Sequence, residues 1–260
     1  MGFELFRHAI VRTPGENFAD GLTAAELGEP DLSTTLLQHE AYCRALEECG
    51  LDLVRLAADL QHPDSTFVED VAILTTRFAI LARPGASSRL GEVTSIRNTI
   101  QQYYKTVHQI EPPATLDGGD ICEARSHFFI GISHRTNEEG AQQLSQLLAP
   151  AGFTSSTVDI RGIGSILHLK SGIAYLDRNH LVVMDELADR KEFLGYNLIR
   201  VPAEESYACN CVLVNNRVLI PEGYRGLQAA LASRGYDPLP LNVSEFRKMD
   251  GGLSCLSLRF

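Results

Sequence analysis

The stretch that decides the fold reads DVAILTTRFAILAR at residues 70–83, and two later stretches align with it without a gap. These read DICEARSHFFIGIS at residues 120–133 and NCVLVNNRVLIP at residues 210–221. Each stretch begins with a polar residue, which we call its leader, and continues through two apolar runs. The second run starts eight residues after the leader. Short apolar runs separated by a polar turn are typical of β-hairpins. We therefore predict three equivalent hairpins.

The three hairpins have strands at residues 71–76 with 78–83, 121–125 with 128–133, and 211–214 with 218–221. A fourth hairpin is predicted at residues 169–175 with 181–185, where the turn is longer. The first copy is incomplete, and the C-terminal run at residues 253–260 is a spare strand that completes it.

A helix that stops at a glycine and is followed by a strand recurs four times. The helices, stops and strands are 33–49, Gly50 and 51–56; 138–151, Gly152 and 153–160; 187–194, Gly195 and 197–201; and 226–234, Gly235 and 236–242. We expect Asp31 or Ser33 to cap the first helix and Asn137 to cap the second. A weaker fifth copy links a helix at residues 93–104 to a strand at residues 107–110.

These elements predict an α/β protein of five ββαβ repeats, each of about 52 residues. If the five repeats close into a ring, with the two ends of the chain joined in one repeat, no sheet edge is left exposed. We therefore predict a five-bladed α/β propeller with pseudo-fivefold symmetry, in a single domain over residues 1–260. Two packed α/β halves are the alternative.

Charge and composition exclude several classes of protein. The chain has 33 acidic and 23 basic residues, for a net charge of −10, which disfavours nucleic acid and anionic lipid as partners. It contains no apolar run of about 18 residues, so no membrane span is expected. The first residues show neither an apolar h-region nor a small-residue cleavage site, so we expect no export signal. The six cysteines include no C-x-x-C pair, and Cys209 and Cys211 are interpreted as packing residues. We expect a cytoplasmic protein.

The repeat places the polar leaders of equivalent hairpins in equivalent positions, so we expect them to converge. The leaders are Glu69-Asp70, Asp117 to Asp120, His168, Asn210 and, before the terminal strand, Cys255. A thiol, an imidazole and carboxylates together suit nucleophilic catalysis. Because carboxylates bind a guanidinium through paired hydrogen bonds, the electrophile should be a cationic planar carbon, as in a guanidinium or amidine.

Four motifs in chain order resemble the dimethylarginine dimethylaminohydrolases of the guanidino-group-modifying, pentein superfamily. They are FVED at residues 67–70, LDGGD at 116–120, LHLKSG at 167–172 and DGGLSC at 250–255, and the likeness extends from His8 to Cys255. The family's fold is a five-unit α/β propeller.

The resemblance implies roles for ten residues. Cys255 is the nucleophile and His168 the acid and base, while Asp117, where some relatives have Glu, orients His168. The substrate-binding residues are Asp70 and Glu69 at the guanidinium, Arg89 and Arg135 at the carboxylate, Asp64 at the α-amino group, Phe67 in the pocket wall, and Phe18 on a lid loop at residues 13–21.

The implied reaction is hydrolysis of Nω-methylated arginine to citrulline and a methylamine through a covalent S-alkylthiouronium on Cys255, without a metal or an organic cofactor. An arginine deiminase is the nearest alternative. Members of that family have an extra helical domain and a carboxylate two residues after the His, where this chain has Lys170. The activity of an arginine dihydrolase or of an amidinotransferase of the same superfamily is a further alternative.

Alternatives of another class are a non-catalytic guanidino-ligand binding protein and an inhibitory Zn²⁺ site at Cys255, His168 and Asp117. A dinucleotide site at Gly162-Ile163-Gly164 is excluded, because the third glycine of that fingerprint is absent. The oligomeric state stays open, with a homodimer as one alternative.

Overall fold

The structure is a computed structural model, and it describes residues 5–260. Its strands are β1 (His8–Arg12), β2 (Asp52–Leu56), β3 (Ala72–Leu74), β4 (Ala79–Leu81), β5 (Val107–Gln109), β6 (Ile121–Ala124), β7 (His127–Ile132), β8 (Thr154–Asp159), β9 (Ile173–Tyr175), β10 (His180–Met184), β11 (Asn197–Val201), β12 (Val212–Val214), β13 (Arg217–Pro221), β14 (Asp237–Leu241) and β15 (Leu258–Arg259). Its α-helices are α1 (Leu32–Glu48), α2 (Glu92–Tyr103), α3 (Glu138–Leu148), α4 (Leu169–Gly172), α5 (Arg225–Ala232) and α6 (Ser244–Arg247). Residues 1–4, which belong to the stretch interpreted as lacking an export signal, lie outside the described residues.

Among the described residues, the strands form five three-stranded sheets of one repeated order. A central strand pairs antiparallel with one neighbour and parallel with the strand that follows a crossover. The sheets are β3-β4-β5, β6-β7-β8, β9-β10-β11, β12-β13-β14 and β15-β1-β2. The predicted ββαβ repeat is therefore confirmed.

The last sheet joins the two ends of the chain. Strand β15 pairs antiparallel with β1, with Ala9 opposite Arg259 and Ile10 opposite Leu258. The C-terminal run thus supplies the strand that the first repeat lacks, as predicted. It is shorter than expected, because Ser254–Leu256 forms a helical turn before the strand begins.

Two predicted elements differ from the structure in kind. The first part of the predicted strand at residues 169–175 is helix α4, because the Leu169 N–H binds the Asp120 carboxylate rather than a neighbouring strand. The predicted helix at residues 187–194 is instead two short helical turns, Asp185–Leu187 and Lys191–Phe193. Arg190 adopts an extended conformation, with φ −66° and ψ 135°, which interrupts the helix between the two turns. The hairpin strands β3 and β4 are also shorter than predicted.

The helix ends follow the sequence signals. Asp31 caps α1 by accepting the Thr34 N–H at 2.7 Å, and Asn137 caps α3 by accepting the Gly140 N–H at 2.8 Å. All four predicted stop glycines have positive φ, which is easy for glycine and costly for other residues.

The described residues form two compact units. One holds the residues up to Val68 together with Gly172–Phe260, and the other holds Glu69–Ser171. The first contains an apolar cluster that includes Tyr42, Phe246 and Leu256. The second contains a separate cluster built around residues of β4, β7 and α3. Within residues 5–260, no helix combines the length and apolar character needed to cross a bilayer.

Candidate active site

The polar leaders lie at short helical turns that precede the first strand of each sheet. Asp70 lies in the turn Val68–Val71, Asp120 in Gly118–Asp120, His168 directly before α4, Asn210 directly after Ala203–Cys209, and Cys255 in Ser254–Leu256. Polar side chains of different chemistry thus occupy equivalent places in the repeat.

In the unit formed by Glu69–Ser171, a buried imidazole lies beside two carboxylates. His168 donates a hydrogen bond from Nε2 to Asp117 Oδ2 at 3.0 Å, and its Nδ1 lies 3.9 Å from Asp70 Oδ1. Asp117 also accepts the Gly85 N–H at 2.8 Å, which fixes its carboxylate plane. Asp117 is fully buried and His168 is 6% exposed. The unit therefore brings together three of the predicted site residues: Asp70, Asp117 and His168.

Asp70 is held on both of its oxygens. Its Oδ1 accepts the Gly119 N–H at 2.9 Å, and its Oδ2 accepts Nη1 of Arg89 at 2.5 Å. The approach of Gly119 requires the absence of a side chain, because a Cβ atom there would lie 2.6 Å from Asp70 Oδ1 and 2.7 Å from His168 Nδ1. Arg89 in turn binds Glu92 through Nε at 2.9 Å and Nη2 at 2.8 Å.

This environment sets the charge of the imidazole. Burial by itself would lower the pKa of His168, but the charge of Asp70, the hydrogen bond to Asp117 and the charge of Asp120 outweigh it and raise the pKa to about 9. Burial likewise opposes ionisation of Asp70, yet His168 and Arg89 hold the pKa of Asp70 below its ordinary value. His168 is therefore an imidazolium at neutral pH, suited to donate a proton.

Sequence reasoning gave two buried carboxylates no role of their own. Asp120 accepts the Leu169 N–H at 2.9 Å and the hydroxyls of Ser133 and Thr136 at 2.7 Å each. Burial raises the pKa of Asp120 to about 6, against the opposing charge of His168. Glu92 is the other. An acidic residue three positions after an arginine at a helix start is a recognisable ion-pair signal, and it points to Glu92.

The remaining predicted residues of this unit lie near the carboxylates. Glu69 is buried and pairs with Lys170 Nζ at 2.6 Å, so the lysine that replaces the deiminase carboxylate neutralises an acidic neighbour. Arg135 is partly exposed, and among residues 5–260 its guanidinium forms no ion pair. Its backbone lies against Gly85, where a Cβ atom would collide with the Arg135 main chain.

In the other unit, Cys255 lies on a turn whose preceding residues are held by the side chains of Asn210 and Tyr207. The Asn210 side chain accepts the Ser254 N–H at 2.9 Å and donates to the Ser254 hydroxyl at 3.0 Å. The Tyr207 hydroxyl donates to the Gly251 carbonyl at 2.9 Å. Burial, followed by the neighbouring Cys255 thiol, raises the pKa of Tyr207 above its ordinary value. The nucleophile candidate is 8% exposed.

This unit also brings Phe18, Phe67 and Asp64 near one another. The Phe18 and Phe67 rings have centroids 5.9 Å apart, and both pack against Phe246. Asp64 accepts the Leu22 N–H at 3.0 Å, just beyond the predicted lid loop. Phe18 is 2% exposed, so this residue of the loop is buried against Phe67 and Phe246.

Cys43 and Cys209 have the environment of packing residues rather than of reactive thiols. All six cysteines are buried, and none of them forms a disulfide. Burial raises the pKa of Cys43 to about 11, and it raises the pKa of Cys209 above the ordinary value, with Cys211 adding to the effect. This agrees with the interpretation of the C-x-C pair as packing.

The donor set could also hold a metal ion. Asp70, Asp117 and His168 offer ligand atoms that lie within 4.8 Å of one another. Arg89 already occupies an oxygen of Asp70, so a cation at this place would compete with a guanidinium.

Comparison with known proteins gives a consistent family. Residues 95–206 match the model of the arginine deiminase family. The chain is 46% identical over 257 residues to the N(G),N(G)-dimethylarginine dimethylaminohydrolase of Pseudomonas aeruginosa, covering 98% of this chain and 100% of that protein. It is 32% identical over 254 residues to the enzyme of the same name from Streptomyces coelicolor, covering 97% and 96%.

Solved structures agree. The dimethylarginine dimethylaminohydrolase of Pseudomonas aeruginosa, in a cysteine-to-serine mutant complexed with citrulline, superposes with a TM-score of 0.96 at 46% identity, covering 99% of this chain and 100% of that one. The N-terminal domain of the arginine dihydrolase ArgZ superposes with a TM-score of 0.87 at 19% identity, covering 98% and 97%. That second likeness concerns the fold alone. The predicted fold class, the α/β propeller of the pentein superfamily, is confirmed.

Proposed function

We propose that this chain, which belongs to the dimethylarginine dimethylaminohydrolase family, hydrolyses Nω-methylated arginine to citrulline and dimethylamine or methylamine. One observation carries the proposal: a buried imidazolium lies within a cluster whose carboxylates outnumber its cations. The carboxylates are Glu69, Asp70, Glu92, Asp117 and Asp120, and the cations are Arg89, Lys170 and His168. Such a cluster favours a cationic electrophile over a neutral acyl group.

We propose Cys255 as the nucleophile and His168 as the acid and base. The Cys255 thiolate adds to the guanidinium carbon, and the His168 imidazolium gives its proton to the methylated nitrogen as that C–N bond breaks. A covalent S-alkylthiouronium and a neutral imidazole result. His168 then takes one proton from water as the oxygen adds to the same carbon. The C–S bond breaks to regenerate the thiolate, and the proton left on the added oxygen passes to solvent, where the released amine takes it up, so that neutral citrulline is released.

The hydrogen bond to Asp117 supports this assignment for His168. Because the carboxylate accepts Nε2–H, it fixes the ring orientation and stabilises the protonated form that must donate to the leaving amine. A proton donor with a pKa near 9 is held charged at neutral pH. It still releases its proton to the developing amine, which is more basic.

For substrate binding, we propose Asp70 and Glu69 at the guanidinium and Asp64 at the α-amino group. Arg135 is proposed at the α-carboxylate, because its guanidinium forms no ion pair among the described residues and arginine binds carboxylates through two parallel hydrogen bonds. Arg89 is proposed as a second carboxylate anchor, which shares its guanidinium with Asp70 and Glu92. Phe67 and Phe18 would line the pocket, with Phe18 on the lid.

We further propose that residues 1–260 act as one domain in the cytoplasm. Five sheets of one repeated order support the single domain, and six free cysteines suit a reducing compartment. A single cooperative unfolding transition is expected. The net charge of −10 supports a small-molecule substrate rather than nucleic acid. A homodimer stays a prediction, which sedimentation velocity would check.

The test is incubation with asymmetric dimethylarginine, with citrulline and dimethylamine measured as products. The wild-type chain should release both and form a mass adduct on Cys255, while Cys255→Ser should release neither. Alkylation should be fast at this one thiol and blocked by methylarginine. Full turnover by Cys255→Ser would refute the mechanism, and slow alkylation at every cysteine would favour a non-catalytic binding protein.

Arginine deimination is the second candidate, because residues 95–206 match the arginine deiminase model. Lys170 argues against it, since its ammonium lies on Glu69 where the deiminases have a carboxylate for the unsubstituted nitrogen. We expect asymmetric dimethylarginine to be turned over faster than arginine. Ammonia released from arginine at the higher rate would reverse the assignment.

A further inference from the structure

Glu92 is a buried carboxylate that pairs with Arg89. It begins helix α2 and is 2% exposed, where an uncompensated charge would be costly. Its two oxygens accept Nε and Nη2 of Arg89 at 2.9 and 2.8 Å, which is a paired, planar interaction. The carboxylate therefore fixes both the position and the plane of the Arg89 guanidinium.

The fixed guanidinium in turn directs Asp70. A guanidinium is rigid, so holding its Nε–Nη2 edge determines where Nη1 points. Nη1 donates to Asp70 Oδ2, while Asp70 Oδ1 is held by the Gly119 N–H and faces His168 Nδ1 at 3.9 Å. A continuous chain of contacts thus runs from Glu92 through Arg89 and Asp70 to His168.

A purely local role explains this arrangement poorly. Ion pairs three residues apart on a helix surface contribute little to stability. Burying two carboxylates and a guanidinium together is often no more stabilising than apolar packing. The geometry points to Glu92 as a positioning residue for substrate binding, which acts through Arg89 on Asp70. This inference rests on the proposed function of the site.

The direct test is the affinity of Cys255→Ser for asymmetric dimethylarginine, measured by calorimetry, because this variant should leave the ligand unreacted. Adding Glu92→Gln should raise Kd about tenfold or more, since the amide nitrogen presents a donor to the Arg89 donors and the pairing is lost. Glu245→Gln is the matched control. Glu245 is 7% exposed and also pairs with a cation three residues away, and its loss should change Kd less than about twofold.

A second variant separates positioning from general damage. In an Asp70→Asn background, Glu92→Gln should add less than about twofold to Kd, because the two changes act on one chain of contacts. If the factors by which Asp70→Asn and Glu92→Gln each raise Kd multiply in the double variant, the inference is overturned. So would a Glu92→Gln variant that loses stability and keeps the wild-type affinity.

Turnover by the wild-type chain tests the proposed function independently. Citrulline release together with unchanged affinity in Glu92→Gln would refute the positioning role alone. Tight binding without citrulline release would refute the hydrolase function, and the Kd comparison would then decide the positioning role. Absence of binding by every variant would refute both.

Discussion

The charge of His168 should make the stability of the folded chain depend on pH in one direction. The pKa of His168 rises from an ordinary value of 6.5 to about 9 in the folded chain, because Asp70, Asp117 and Asp120 face a buried ring. The shift corresponds to about 3 kcal/mol. Since the folded-state pKa is raised, this contribution is fully present below pH 6.5 and is lost as the pH rises through 9.

The assay is urea unfolding of the wild type and of His168→Gln between about pH 6 and about pH 10. The difference in unfolding free energy between the two should shrink by about 3 kcal/mol over that interval. Asp117→Asn should reduce this pH dependence, because one of the carboxylates that favour the imidazolium is gone. His134→Gln, at an exposed histidine, is the control for losing an imidazole. A stability difference that is constant with pH, or that widens, would refute the electrostatic reasoning.

Three further predictions concern single positions. Gly119→Ala should lower kcat/KM about 100-fold or more, because its Cβ atom would lie 2.6 Å from a carboxylate oxygen of the site. Gly162→Ala, where nothing lies within 4 Å, should keep wild-type kinetics, and equal rates for the two would contradict the packing argument. Asn210→Ala removes two hydrogen bonds to the turn that carries Cys255, so we expect a loss of about 1–3 kcal/mol in urea unfolding and altered alkylation of that thiol. Asp31→Ala removes the N-cap of α1 and should lower the free energy of unfolding in urea by about 1 kcal/mol. Turnover by the folded protein should stay unchanged. A loss of turnover would count against a purely structural role for Asp31.

The fold was largely predictable because its signals are local. Matched hairpins, N-cap residues and stop glycines each act within a few residues, and the repeat multiplies their weight. The short helical turns before the first strands were not predictable in this way. They depend on partners far along the chain, since Asp120 binds the Leu169 N–H across 49 residues. No local sequence pattern predicts a hydrogen bond between residues so far apart in the chain.

The site divides in the same manner. The repeat predicted Asp70, Asp117 and His168 as neighbours, and the structure brings them together. The position of Arg89 was predicted, but its partner Glu92 was not. The three-residue spacing indicates only that an ion pair can form, and the burial of the pair becomes known only from the structure. Sequence patterns identify which side chains carry charge. The hydrogen-bond and ion-pair partners that position those side chains become known only from the folded structure.

The leaders also hold one another, and this affects how their variants should be interpreted. Asp70 binds the Gly119 N–H in the next leader turn, Asp120 binds Leu169 in the turn after that, and Asn210 binds Ser254 beside Cys255. Asp70, Asp120 and Asn210 therefore each shape the segment that carries a following leader. A change such as Asp70→Asn keeps an acceptor for Gly119 and removes only charge, whereas Asp70→Ala removes both. Comparing the two substitutions at one leader separates its electrostatic role from its structural one, which a single alanine variant cannot do.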